Sequence, residues 1–223
     1  MAGEWESLDA DEAMERRRHR HWYDRLMMLA DGVFAIAITF LAVDIAAPAS
    51  WSGRFDVLWS QLAPQLNGYA MSFLVISIYW LAHRRFMAMI LTVDAPVTVL
   101  TLILLGLVVL LPPATRMING DHVYPASRLV YAAVVVAIGG VLAALWGYAA
   151  LIAKVVSDEV SRPVRWFLLM LIVVTPSFFL LLTMTLPDPP LGAIPFVLVA
   201  LFLIGWRMRL WVLRRLGASP YVG

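Results

Sequence analysis

Two carboxylates and a hydroxyl interrupt an apolar run at residues 25–45, RLMMLADGVFAIAITFLAVDI: Asp31, Asp44 and Thr39. A charged side chain at the centre of a bilayer costs about 2.5–3.5 kcal/mol on insertion scales, and less toward the surface, so each acid needs a partner or water. Asp31 stands about one turn inside one end of the run. Arg25, or the His83-Arg84-Arg85 cluster that closes a second apolar run, can satisfy it. Such a cluster either locks helix ends together or works as a proton-sensing or gating latch. Asp44, at the other end, is an interfacial acid or a member of an acidic ring that concentrates cations at a pore mouth.

Other chemistries are absent from the sequence. There is no cysteine, hence no disulfide, thiolate metal site or cysteine nucleophile. The histidines His19, His21, His83 and His122 are not paired at zinc-ligand spacing. No serine–histidine–acid set, paired midplane carboxylates or phosphate loop appears. The expectation is a protein that is not an enzyme, with no cofactor and no structural metal.

The element that carries Asp31 and Thr39 reads as a helix. At about 100° per residue, Ile36, Phe40 and Val43 fall within about 60° of one another with Thr39 beside them. Gly32, Ala35, Ala37 and Ala42 take other faces, and small residues let neighbouring helices approach closely. This pattern suits a helix packed among others with one line of side chains left over.

Around it the chain has the balance of an integral membrane protein: of 223 residues 62% are hydrophobic and 14% charged, with a mean hydropathy of +0.82. Six runs are long enough to cross a bilayer: 26–47, 65–83, 95–117, 128–152, 164–186 and 190–211. Short polar or Pro-rich connections separate them. Leu111-Pro112-Pro113 and Thr175-Pro176 read as kinks inside spans, and Gly139-Gly140 as a close helix contact.

The pI of about 9.1 comes almost wholly from arginine flanking the apolar runs, which fits a membrane surface better than nucleic acid. With the N-terminus inside, Arg16, Arg17, Arg18, Arg20, Arg25, Arg84, Arg85, Lys154, Arg162, Arg165, Arg207, Arg209, Arg214 and Arg215 fall on the cytoplasmic side. Only Arg54, Arg116 and Arg128 fall on the other. Both termini are therefore expected in the cytoplasm of a multi-pass cell-membrane protein. Trp22, Trp51, Trp59, Trp80, Trp146, Trp166 and Trp206 lie near span ends, as interfacial belts do. Residues 1–24 are expected as a polar, partly helical tail touching anionic lipid, 25–213 as the membrane domain and 214–223 as a short tail. A first apolar run of 22 residues holding an acid is too long for a cleaved signal.

The order Arg25-x-x-x-Leu29-Ala30-Asp31-Gly32-Val33-Phe34-Ala35-Ile36-Ala37-Ile38-Thr39 resembles the signature of the transmembrane protein 175 family, potassium-permeable channels of prokaryotes and of the lysosome. SFLVISIYWLAHRRF at 72–86 is similar to that family's second helix, and LTLILLGLVVLLPPAT at 100–115, more weakly, to its third. Leu29 and Ala30 depart from the family's Phe-Ser. The resemblance implies an all-α homotetramer of six-span subunits whose first helix lines a central pore. Ile36 would form a closing aliphatic ring, Thr39 a hydroxyl layer preferring potassium, and Phe40 and Val43 the rest of the pore stripe. Asp44 would stand at the mouth, and Arg25, Asp31, Trp80 and His83 would form a motif cluster tied to gating. The implied partners are other copies of the chain, membrane lipids and permeating potassium. The competing readings are a proton-coupled secondary transporter using Asp31, Asp94 or Asp44, and a non-conducting membrane scaffold.

Overall fold

The computed structural model describes residues 2–43, 45, 53–118, 125–157, 160–185 and 207. They form helices α1 (Ala2–Val43), α2 (Phe55–Met89), α3 (Ala95–Val108), α4 (Leu111–Ile118), α5 (Pro125–Gly147) and α6 (Arg162–Thr185), with a π-helical turn, Tyr148–Ile152, continuing α5. Among the described residues three stretches are long and apolar enough to cross a membrane: Arg20–Val43, Ala95–Ile118 and Ala126–Ile152. The expected span 190–211, apart from Arg207, and the tail 214–223 lie outside the described residues.

Several boundaries differ from the apolar runs for local reasons. α1 begins at Ala2, so the charged segment 2–24 is helical and runs without a break into the first apolar span; Ala, Glu, Met and Arg are strong helix formers. α2 extends the run 65–83 at both ends and carries Pro64 inside it. The third run is interrupted. Val109 and Leu110 form a turn, and Pro112 and Pro113 open α4 within its first turn. Neither proline has an N–H to continue the ladder from α3, so the chain restarts a helix there.

One face of α1 is buried, through Leu26, Ala30, Phe34, Ala37 and Leu41. It packs into a core that includes Ile76 of α2, Leu104 of α3, Leu111 of α4, and Leu142 and Trp146 of α5. α5 and α6 cross closely at Gly139. A Cβ there would lie 2.6 Å from Pro176 Cγ and 3.1 Å from the Tyr79 hydroxyl, whereas a Cβ on Gly140 would meet nothing within 4 Å. The close contact expected of the glycine pair therefore belongs to Gly139 alone. Trp146 is fully buried against Phe86, with ring centroids 4.7 Å apart, instead of joining an interfacial belt. Its indole N–H is satisfied by the Arg165 carbonyl at 3.0 Å.

The α2–α3 and α5–α6 connections are joined to each other. Ile90 and Val156 form an antiparallel bridge, with Leu91 N donating to Val155 O at 2.9 Å and Ser157 N to Met89 O at 3.1 Å. Lys154, at φ 55°, ends the π turn in the left-handed conformation that usually falls to glycine. Arg165 braces this connection: its guanidinium and Nε donate to the carbonyls of Val160, Ala150 and Ser157 at 2.9, 3.1 and 3.3 Å.

Candidate functional site: the outward face of α1 and its clamp to α2

Opposite its buried face, α1 presents Gly32, Ala35, Ile36, Thr39, Phe40 and Val43 outward. Ile36, Phe40 and Val43 are 53%, 57% and 70% exposed in the single subunit. These three with Thr39 form one continuous strip, as the 3.6-residue repeat requires. The Thr39 hydroxyl donates its proton to the Ile36 carbonyl at 2.8 Å. That bond occupies its donor and leaves the oxygen lone pairs, the part of a hydroxyl able to replace cation hydration. Asp44 lies outside the described residues.

Asp31 is held by α2. Its Oδ1 accepts the Trp80 indole N–H at 2.7 Å. A hydrogen bond to an ionised acceptor is shorter and stronger than a neutral one. Among the described residues Arg25 makes no ion pair with Asp31. Six residues is 600°, so the two side chains leave α1 about 120° apart. His83, one turn beyond Tyr79 on α2, is 1% exposed and packs near Phe34 of α1, ring centroids 6.1 Å apart. Its Nε2 has no hydrogen-bond partner among the described residues. The structure thus brings Asp31 and Trp80 into contact, places His83 behind them in the core, and leaves Arg25 outside on an exposed face.

Asp94 has a structural task. It caps α3, its Oδ1 accepting from Val97 N at 3.0 Å, while its Oδ2 accepts the Tyr148 hydroxyl at 2.6 Å. A capping acid of this kind stabilises the start of a helix.

A second polar group, not anticipated from the sequence, lies deep between α2, α4 and α5. Ser72 Oγ is 2.6 Å from Thr115 Oγ1 and 3.1 Å from the Tyr131 hydroxyl, and Thr115 donates to Leu111 O at 2.8 Å. Because Thr115 spends its proton on that carbonyl, the chain has one consistent direction: Tyr131 to Ser72 to Thr115 to Leu111. Beside it the Tyr79 hydroxyl donates to Val135 O at 2.8 Å. All these side chains are nearly inaccessible. The sequence signal was a scatter of single hydroxyls inside apolar runs, whose mutual partners only the helix packing reveals.

The profile of the family described as endosomal/lysosomal potassium channel TMEM175 matches residues 25–112, from Arg25, before the outward strip, to the restart of the helix at α4. A potassium channel of Streptomyces collinus is 34% identical over 147 residues, covering 62% of this chain and 70% of that protein. The chain belongs to the TMEM175 family. A second relative, a potassium channel of Chamaesiphon minutus, is 30% identical over 145 residues, 62% of this chain and 71% of its own length. The fold agrees with the crystal structure of a homologue, from Chamaesiphon minutus, of the lysosomal potassium-selective channel TMEM175. That match has a TM-score of 0.58 at 24% identity and covers 83% of this chain and 98% of the other. The residues of the outward strip and the Asp31–Trp80 contact all lie within the span that the TMEM175 profile matches.

Proposed function

We propose that this chain is a potassium-permeable channel in which four copies of α1 surround a central pore. Each subunit would contribute six spans, and both termini would lie in the cytoplasm of a cell-membrane protein. The observation that carries this reading is the outward strip of α1. Its bulky residues Ile36, Phe40 and Val43 are turned away from their own subunit's core, while the opposite face of the same helix is buried through Leu26, Ala30, Phe34, Ala37 and Leu41. Membership of the TMEM175 family and the potassium-channel names of two relatives support the same reading.

In such an assembly Ile36 forms an aliphatic ring narrow enough to exclude water, and a dewetted ring blocks ions without charge. Thr39 adds a layer of hydroxyl oxygens whose lone pairs take the place of part of a cation's hydration. Potassium releases water more readily than sodium, so four such oxygens favour potassium modestly. Phe40 and Val43 extend the passage, and Asp44 concentrates cations at the mouth. Asp31, Trp80 and His83 set the position of the first helix against the second. No bound cofactor is required, and the binding partners are other copies of the chain and lipid.

Two of the three acids a proton-coupled transporter would use, Asp31 and Asp94, are engaged otherwise. Asp94 is committed to a helix cap and Tyr148, and Asp31 to Trp80, which favours the channel. The test is Ile36→Asn in proteoliposomes. Since Ile36 is half exposed in the subunit, the fold should survive and potassium leak should rise on the order of tenfold, equivalent to about 1.4 kcal/mol off the barrier. Unchanged flux from a correctly assembled variant refutes the ring.

A further inference from the structure

We propose that Arg84 is a positioning residue for the pore helix, acting on Asp31 through the ring of Trp80. The guanidinium carbon of Arg84 lies 5.5 Å from the centroid of the Trp80 ring, within reach of a cation–π interaction. The N–H of that same ring donates to Asp31 Oδ1 at 2.7 Å. The two contacts reinforce each other. A cation over the indole face draws density from the ring and makes its N–H a better donor, and the carboxylate at the ring edge balances the charge. Trp80 and Arg84 are four residues apart on α2, one turn along the same face. The guanidinium therefore holds the ring in place from the next turn of its own helix.

Neighbouring residues divide the work. His83 is in the core beside Phe34, whereas Arg84 is on the outside. His83 fills space behind α1, and Arg84 sets the orientation of the side chain that grips it. Asp31 is five residues before Ile36, about 7.5 Å along the helix. Fixing Asp31 therefore fixes the rotation of α1 close below the proposed constriction. Lysine would keep the charge but replace the broad, weakly hydrated guanidinium with a compact, strongly hydrated ammonium.

The test uses the full chain, and its conduction arm rests on the channel reading. Protein labelled with 5-fluorotryptophan is examined by fluorine NMR, with the Trp80 resonance assigned by its disappearance in Trp80→Phe. Arg84→Gln should move the Trp80 resonance and leave the signals of tryptophans far from α2 in place; Arg84→Lys should move it less. In planar bilayers Arg84→Gln should raise open probability about two- to five-fold, the range expected from losing an exposed cation–π contact. Unitary conductance and the potassium-to-sodium ratio should stay constant, and the effect should vanish in a Trp80→Phe background. A Trp80 resonance indifferent to Arg84→Gln overturns the proposal, as does an equally large effect on open probability without the Trp80 indole. If the unaltered protein carries no current, the channel reading fails, and the fluorine spectrum still decides the role of Arg84.

Discussion

Gly139 and Gly140 are adjacent in one helix, and alanine at each should change stability in opposite directions. At Gly139 the new methyl would stand 2.6 Å from Pro176 Cγ and 3.0 Å from its Cβ. An ordinary contact begins near 3.4 Å, so α6 must retreat by about 0.8 Å at that point. The proline ring cannot rotate out of the way, and the Tyr79 hydroxyl, 3.1 Å from the same position, is tied to Val135 O. Overpacking of this kind costs about 1–3 kcal/mol. The gain of roughly 1 kcal/mol from replacing a mid-helix glycine with alanine offsets only part of it. At Gly140 the methyl meets nothing within 4 Å, so the helix gain stands alone. Gly139→Ala should therefore be the less stable of the pair by about 1–3 kcal/mol per subunit. The measurement is the thermal or denaturant unfolding midpoint of purified protein in detergent. Pro176→Ala introduced into Gly139→Ala removes the colliding Cγ and should recover part of the loss, a non-additivity expected of residues in contact. Equal midpoints for the two alanine variants, or no recovery in the double variant, would refute the placement of α6 on α5.

Three further outcomes are expected. Thr39→Ala removes the proposed oxygen layer and should lower the potassium-to-sodium permeability ratio severalfold with unchanged protein stability, read from reversal potentials under bi-ionic conditions. Ser72→Ala leaves both Thr115 and Tyr131 without their shared partner and should cost about 1–3 kcal/mol, seen as an earlier unfolding midpoint. Arg165→Lys keeps the charge but cannot reach three carbonyls at once. It should destabilise the α5–α6 connection nearly as much as Arg165→Gln, measured as faster proteolysis between α5 and α6.

The outward strip of α1 was legible in the sequence because a helical repeat decides it without reference to the rest of the molecule. Ile36, Phe40 and Val43 share one side and Thr39 flanks them, and the folded subunit leaves all four exposed. Among the small residues the sequence did not distinguish Ala37, which is buried, from Gly32, Ala35 and Ala42, which are not. That division depends on where neighbouring helices lie. The partner of Asp31 depended on the same thing. Charge alone suggested Arg25 or His83, but the hydrogen-bond donor that α2 brings to Asp31 is the Trp80 indole. The length of α2 and the break before α4 lie between the two cases. Pro112 and Pro113 marked the place, but whether the chain kinked or restarted rested on the turn at Val109 and Leu110.

The bridge between Ile90 and Val156 ties two connections that are far apart in sequence. An amino acid inserted between Met89 and Leu91, or between Val155 and Ser157, would break the pairing at the bridge. The paired residues of the two linkers are therefore constrained together during evolution. A natural insertion in one should come with a compensating change in the other or with loss of the bridge altogether.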